Sequence, residues 1–186
     1  MLRYFLGFFI TIGLLILLIV LLVGGGDKGK SKVPSTAKTL ESYASSEAVA
    51  RLTIDGPVNA EQDHRESQIS IKRDQAKFEQ IQGYNGHVIK SKTYHSTEEA
   101  YIAFLRSLDR AGFTKGNTDP AFTDSRGYCP LGTRYVFELI QDGKTIEHFW
   151  STSCGGPKTF NGSTALNVTL FERQIPEFSE LSSSSL

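Results

Sequence analysis

The sequence lacks several patterns that would assign a function directly. Its four histidines show neither the His-Glu-x-x-His spacing nor a neighbouring cysteine pair, so no zinc motif is present. The glycine-rich stretch at 155–162 has no Lys-Ser/Thr pair of the kind that completes a phosphate-binding loop. No internal repeat predicts a solenoid. We therefore expect no metal and no cofactor, and these motifs assign no catalytic residue.

An excess of positive charge is also absent. The whole chain carries 20 Lys and Arg against 20 Asp and Glu, and hence no net charge. Five of the basic residues and one acidic residue precede residue 39, which leaves residues 39–186 with 15 basic and 19 acidic side chains. Nucleic-acid-binding domains present a basic patch or stripe. A domain with a net charge of −4 is therefore not expected to bind nucleic acid.

Charged and amide side chains are missing altogether from the nineteen residues between Phe5 and Val23. At about 1.5 Å per residue, a helix of this length spans roughly 28 Å, close to the hydrocarbon thickness of a bilayer. We therefore predict a transmembrane helix over 5–23, with the lipid bilayer as its partner. No cysteine at its end indicates a lipoprotein, and no acidic residue at its start indicates a pilin. A cleaved secretory signal remains the alternative.

The rest of the chain divides into three parts. Residues 24–38, rich in Gly, Lys and Ser, predict a flexible basic linker. Residues 39–178 are enough for one domain with its own core, and 179–186 predict a disordered tail. The lysines of the linker favour a cytoplasmic domain, whereas Arg3 before the span and the two cysteines favour an extracytoplasmic one. We expect a single-pass cell-membrane protein with its C-terminal domain outside the membrane.

Alternation of apolar and polar residues predicts six strands. Two of them, Thr133–Ile140 and Lys144–Thr152, flank Asp142-Gly143, a strong signal for a two-residue hairpin because both residues tolerate positive φ. The other four strands are predicted over residues 48–54, 68–73, 77–82 and 87–94.

Two helices complete the predicted fold. The first begins at Ser96, whose hydroxyl caps it while Glu99 returns a hydrogen bond, and it ends at Gly112. Residues 163–174 fit both a strand and a helix, and Gly162 before them with Pro176 after them favours a helix. Strands followed by a helix, twice over, predict an α+β domain with helices packed on an antiparallel sheet.

The only two cysteines, Cys129 and Cys154, are predicted to meet at the open end of the hairpin. With Asp142-Gly143 as a two-residue loop, the numbers of opposed residues sum to 285, and those of the cysteines sum to 283. A small bulge or a bend at Pro130 would close this difference. We therefore predict a disulfide; two buried thiols are the alternative in a reducing compartment.

Two groups of residues suggest a hydrolase as the alternative function. The same register places Glu138 directly opposite Glu147, and such a pair is either a catalytic carboxylate pair or a sign that the register differs and both acids face solvent beside a basic neighbour. Cys154 is the other candidate, as a nucleophile with a histidine as its base. Either group would make the chain a cell-envelope hydrolase.

Three segments carry a resemblance to other proteins: Cys129-Pro-Leu-Gly-Thr-Arg-Tyr135, Trp150-Ser-Thr-Ser-Cys-Gly155 and Gln174-Ile-Pro-Glu-Phe178. Through them the chain, over residues 1–178, resembles uncharacterised small bacterial proteins with an N-terminal anchor and the same cysteine-bearing hairpin. The resemblance implies a bacterial cell membrane. It implies no activity and no catalytic residues.

The favoured interpretation is a non-enzymatic binding or accessory module, displayed outside the membrane. Its partner would be a protein or an envelope polymer. The candidate binding surface consists of Arg134, Lys158 and Phe160, because the loop from Gly155 to Gly162 lies beside the predicted disulfide. A purely structural role, without an exposed site, is the third hypothesis.

Overall fold

The computed structural model describes residues 38–183. The predicted transmembrane helix (5–23), the linker up to residue 37 and the last three residues of the tail lie outside the described residues. Within 38–183, no helix combines the length and the apolar character needed to cross a bilayer.

A six-stranded antiparallel sheet organises the described part of the chain. Its spatial order is β4-β3-β2-β1-β5-β6, so the first four strands form a meander and the last two add a hairpin on the other side of β1. The strands are β1 (Val49–Asp55), β2 (Arg65–Lys72), β3 (Gln75–Gln82), β4 (His87–His95), β5 (Arg134–Gln141) and β6 (Lys144–Thr152).

Three α-helices accompany the sheet: α1 (Glu98–Arg110), α2 (Thr164–Glu172) and α3 (Phe178–Ser183). Two short 3-10 helices are also present: Leu40–Tyr43 precedes β1, and Pro120–Phe122 lies between α1 and β5. The α+β class is confirmed, and the segment that fitted both a strand and a helix is the helix α2. The C-terminal tail differs from its prediction, because α3 continues through residues 179–183.

The N-cap of α1 differs from the predicted one by one residue. Thr97, not Ser96, is the N-cap, and its side chain accepts a hydrogen bond from the backbone N–H of Ala100. Both residues are good caps, and the helix begins one residue later than expected. Its apolar stripe is as predicted: Tyr101, Phe104, Leu105 and Leu108 are buried.

One face of the sheet carries the hydrophobic core. Alternate residues of the central strands point into it, including Leu52, Ile69, Phe78 and Phe137, each fully buried. Aromatic rings from the helices and loops interlock there; Phe104 of α1 and Phe171 of α2 meet edge to face, with ring centroids 5.1 Å apart. The core therefore joins the helices to the sheet from one side.

The other face of the sheet is polar, and one long loop covers part of it. The α1–β5 loop (residues 111–133) shields Trp150 of β6, whose ring stacks on Tyr128 with centroids 5.0 Å apart. The indole Nε1–H of Trp150 donates to the carbonyl of Phe122 over 2.7 Å. Gly116 has to be glycine, because a Cβ there would lie 1.9 Å from the ring of Phe149. The loop is thus held close to the sheet.

Candidate functional site

The β5–β6 hairpin has a different register from the one predicted. Asp142 and Gly143 form its turn with φ of 52° and 74°, as expected for an Asp-Gly hairpin. A bulge at Leu139/Ile140 then shifts the pairing by one residue, so that Glu138 lies opposite His148 and Glu147 lies opposite Leu139. Glu138 and Glu147 consequently lie on opposite faces of the sheet, and they cannot act as a carboxylate pair.

Glu138 instead has basic neighbours on the polar face. This agrees with the alternative interpretation, in which the register differs from the predicted one and the acid lies beside a basic residue. Its Oε1 lies 3.3 Å from Nδ1 of His148, and its Oε2 lies 3.7 Å from a guanidinium nitrogen of Arg51. The hydrogen bond from His148 lowers the pKa of Glu138, helped by Arg51. The same hydrogen bond raises the pKa of His148. The pair is a stabilised ion pair.

The predicted disulfide between Cys129 and Cys154 is confirmed, with the sulfur atoms bonded and the Cα atoms 5.8 Å apart. The route to it differs from the prediction. The hairpin bulge moves the register away from the cysteines, and a turn closes the distance instead: the N–H of Gly132 donates to the carbonyl of Cys129 over 3.1 Å. Because Cys154 is in the disulfide, it offers no thiolate, and a cysteine nucleophile is excluded in this state.

The three residues of the predicted binding surface have very different exposures. Phe160 is completely buried and stacks on Phe137, with ring centroids 4.3 Å apart. Arg134 is only 6 % exposed. Of the three, only Lys158 is exposed. Phe160 is therefore a core residue, because the chain after Lys158 folds back onto β6: the N–H groups of Thr159 and Phe160 both donate to the carbonyl of Trp150.

A cavity of about 450 Å³ lies at the same end of the sheet as the disulfide. Its wall includes the end of β1, the start of β2, the β3–β4 turn and part of the α1–β5 loop. The N–H of Val58 donates to the carbonyl of Pro130 over 2.7 Å and ties two of these segments together. The residues that line the cavity are Asp55, Val58, His64, Glu66, Ile81, Gly83, Tyr84, Gly86, Arg126, Gly127 and Arg134.

Asp55 lies at the centre of a charged cluster in this cavity. Its Oδ2 lies 2.5 Å from a terminal guanidinium nitrogen of Arg134, and its Oδ1 lies 3.1 Å from Nε2 of His64. Asp55 and Arg134 are paired across β1 and β5, which explains why the two side chains meet. An ion pair that is largely removed from water loses much if one partner is removed. We call Arg134, Asp55 and His64 the charged triad, after the ion pair between Arg134 and Asp55.

His64 is not arranged as a catalytic base. It is 3 % exposed, and its Nδ1 lies 3.2 Å from the carbonyl oxygen of Pro57 while Nε2 faces Asp55. Both ring nitrogens thus have an oxygen partner within the protein. The ring also stacks on Tyr84, with centroids 4.2 Å apart and planes at 17°. His64 therefore supports Tyr84 from inside the protein.

Glu66 is the second carboxylate that lines the cavity. Burial raises its pKa, and the nearby charge of Asp55 adds to that effect. Its side chain receives no hydrogen bond from residues 38–183, although it is partly buried. A carboxylate in this position retains its capacity to accept hydrogen bonds from a ligand.

One row of residues across the sheet contributes three buried polar atoms. None of these atoms has a hydrogen-bond partner within the described residues. They are Oδ1 of Asp55, Nε of Arg134 and Oγ1 of Thr152. The row follows from the pairing, because Arg134 lies opposite Asp55 on one side and opposite Thr152 on the other. The 3.1 Å contact from Nε2 of His64 to Oδ1 of Asp55 does not have the geometry of a hydrogen bond.

Arg134 is the one residue of the predicted binding surface that lines the cavity, and the other lining residues were not predicted. Asp55, His64, Glu66 and Tyr84 come from three separate segments that only the meander brings together. A faint signal is present in the alternation of β2, where polar residues share the face opposite Ile69 and Ile71. Within residues 38–183 no group of His, Cys, Asp or Glu side chains is arranged to hold a metal ion.

No protein-family model and no curated protein matches this chain.

Proposed function

We propose that this chain is a membrane-anchored binding module of the bacterial cell envelope, whose domain lies outside the membrane and takes its ligand at the cavity beside the charged triad. The apolar run at 5–23 supports the anchor. The disulfide supports an oxidising, extracytoplasmic location. The partner is a protein or an envelope polymer.

The cavity is the observation that carries the binding role. It combines an open concave surface with polar groups on several strands, which is the usual form of a recognition site. The reactive groups that a hydrolase would need are engaged elsewhere: Cys154 is bonded to Cys129, and Glu138 and Glu147 lie on opposite faces. Binding without chemical turnover is the function that these arrangements support best.

A photo-crosslinking experiment in cells tests the binding role. Tyr84→benzoylphenylalanine places a reactive group at the cavity, and Leu166→benzoylphenylalanine places the same group on α2; the two side chains are 52 % and 49 % exposed. We expect an adduct of the full chain from position 84 and none from position 166. Equal yields at both positions, or no adduct at either, would contradict a ligand site at the cavity.

Thiol labelling tests the location. Lys158→Cys adds an exposed thiol to a chain whose two native cysteines are bonded to each other. We expect a membrane-impermeant maleimide to label this variant on intact cells. The control is the same reagent after lysis, which reports the maximal labelling. Labelling that appears only after lysis would place the domain on the cytoplasmic side.

A further inference from the structure

We infer that the ligand of the cavity is a neutral, hydroxyl-rich polymer, the glycan strand of a cell envelope. This inference rests on the proposed function and names the chemistry of its ligand. Three features of the cavity carry it: the small net charge of its lining, its mixture of hydrogen-bond donors and acceptors, and the apolar residues of its wall.

The charges that line the cavity are balanced. Setting His64 aside, two carboxylates (Asp55 and Glu66) and two guanidinium groups (Arg126 and Arg134) line it. Arg126 also pairs with Asp124, with the two side chains 2.6 Å apart, so charges of both signs lie close together and the net charge of this region stays small. A strongly charged ligand would meet attraction and repulsion of similar size in this space. The balance therefore favours a ligand without net charge.

The polar side chains that line the cavity include both acceptors and donors. The carboxylates of Asp55 and Glu66 can only accept, and the guanidinium groups of Arg126 and Arg134 can only donate. A hydroxyl is both donor and acceptor. A row of hydroxyls, directly or through a shared water molecule, matches this mixture better than an ammonium, which only donates, or a carboxylate, which only accepts.

The wall of the cavity also offers apolar surface. Tyr84 is half exposed and is fixed in place by its stacking on His64 and by its hydroxyl, which donates to the carbonyl of Asn59 over 2.9 Å. Val58 and Ile81 line the same cavity. Sugar rings present C–H groups on their faces and hydroxyls at their edges. A rigid aromatic ring beside a polar floor accommodates both at little cost in side-chain entropy.

The test is co-sedimentation of the full-length chain, in detergent micelles, with purified cell-wall sacculi. We expect Tyr84→Ala and Glu66→Ala to weaken sedimentation about tenfold, which corresponds to about 1.4 kcal/mol. Leu166→Ala and Glu79→Ala are the matched controls, because Leu166 lies on α2 and Glu79 pairs with Lys77 on the same sheet face outside the cavity. Fluorescence of the single, buried Trp150 verifies that each variant is folded.

Two further measurements separate a neutral glycan from a charged ligand. A soluble tetramer of N-acetylglucosamine should displace the chain from sacculi, and raising NaCl from about 50 to 500 mM should change binding less than about twofold. A steep loss with salt, no displacement, or equal sedimentation of the cavity variants would overturn the glycan inference. If sedimentation fails while benzoylphenylalanine at position 84 captures a protein, the proposed function stands and the inference alone falls. If neither sedimentation nor crosslinking at position 84 detects a ligand, the proposed function and the glycan inference are both wrong.

Discussion

Asp55 links the charged side chains of the cavity, because its carboxylate contacts both Arg134 and His64. Arg134 is only 6 % exposed, and Asp55 is its partner across the strands. A guanidinium in such surroundings requires a counter-charge, because the cost of removing it from water is not otherwise offset. The position of Arg134 is therefore explained by Asp55.

Asp55→Asn should accordingly destabilise the domain by about 3 kcal/mol, the lower end for a broken buried ion pair, because Asp55 is partly exposed. Urea unfolding of the full chain, followed by the fluorescence of Trp150, measures the change. Asp124→Asn is the control, since Asp124 pairs with Arg126 at the surface and its loss should leave the unfolding midpoint almost unchanged. Equal effects of the two substitutions would show that the charged triad is not a stabilising unit.

The pair of Glu138 and His148 makes the stability depend on pH. Because the pKa of folded His148 is raised above 6.5, its contribution is full below that value and is lost as the pH rises through the raised pKa. Because the pKa of folded Glu138 is lowered below 4.5, its contribution is present above that value and is lost as the pH falls through the lowered pKa. The pair therefore stabilises the fold most between about 4.5 and 6.5.

The substitution His148→Gln should remove part of the pH dependence of the unfolding free energy. We expect the parent to lose more unfolding free energy between about pH 6 and pH 9 than the variant does, since only the parent loses the stabilising charge of His148 in that interval. His95→Gln is the control, because His95 is exposed at the end of β4. If the parent and His148→Gln show the same slope, the hydrogen bond to Glu138 does not hold the proton of His148.

At the scale of elements, the sequence predicts what depends on local pattern and misses what depends on pairing. The apolar stripe of α1 and the Asp142-Gly143 turn were predictable, because helical spacing and positive φ are properties of a few neighbouring residues. The bulge at Leu139/Ile140 was not, since no residue type there requires it. A shift of one residue moves every later side chain of a strand to the other face relative to its partner. That shift separates Glu138 from Glu147.

The cavity was unpredictable for the same reason. It is formed by the order of the strands, with β1 between β2 and β5, and the order brings Asp55 beside Glu66 and Arg134. The disulfide was predictable, because a hairpin brings its two ends together whatever its exact register. The burial of Phe160 was missed because the segment after Lys158 reads as a loop and yet packs on β6.

The disulfide should stabilise the α1–β5 loop and the cavity wall that the loop provides. Cys129→Ser with Cys154→Ser opens a link between residues 25 apart and should cost roughly 3 kcal/mol. Hydrogen exchange should show faster exchange at residues 126–133 and little change in α1. A reducing agent should lower the free energy of unfolding of the parent by the same amount and should leave that of the double variant unchanged. An unchanged unfolding midpoint in the reduced parent would show that the disulfide adds no stability.

At the scale of the whole molecule, the binding proposal requires the domain to be held at a membrane, and the apolar run at 5–23 is the segment that would hold it. A charged side chain at the centre of a membrane helix costs about 3 kcal/mol, so Leu14→Arg combined with Leu17→Arg should prevent stable insertion. We expect the parent to resist extraction by alkaline carbonate and the double variant to be released without detergent. Val33→Arg, in the linker, is the matched control and should behave like the parent. If the double variant stays with the membrane, residues 5–23 are not the anchor and the domain is attached by another part of the chain.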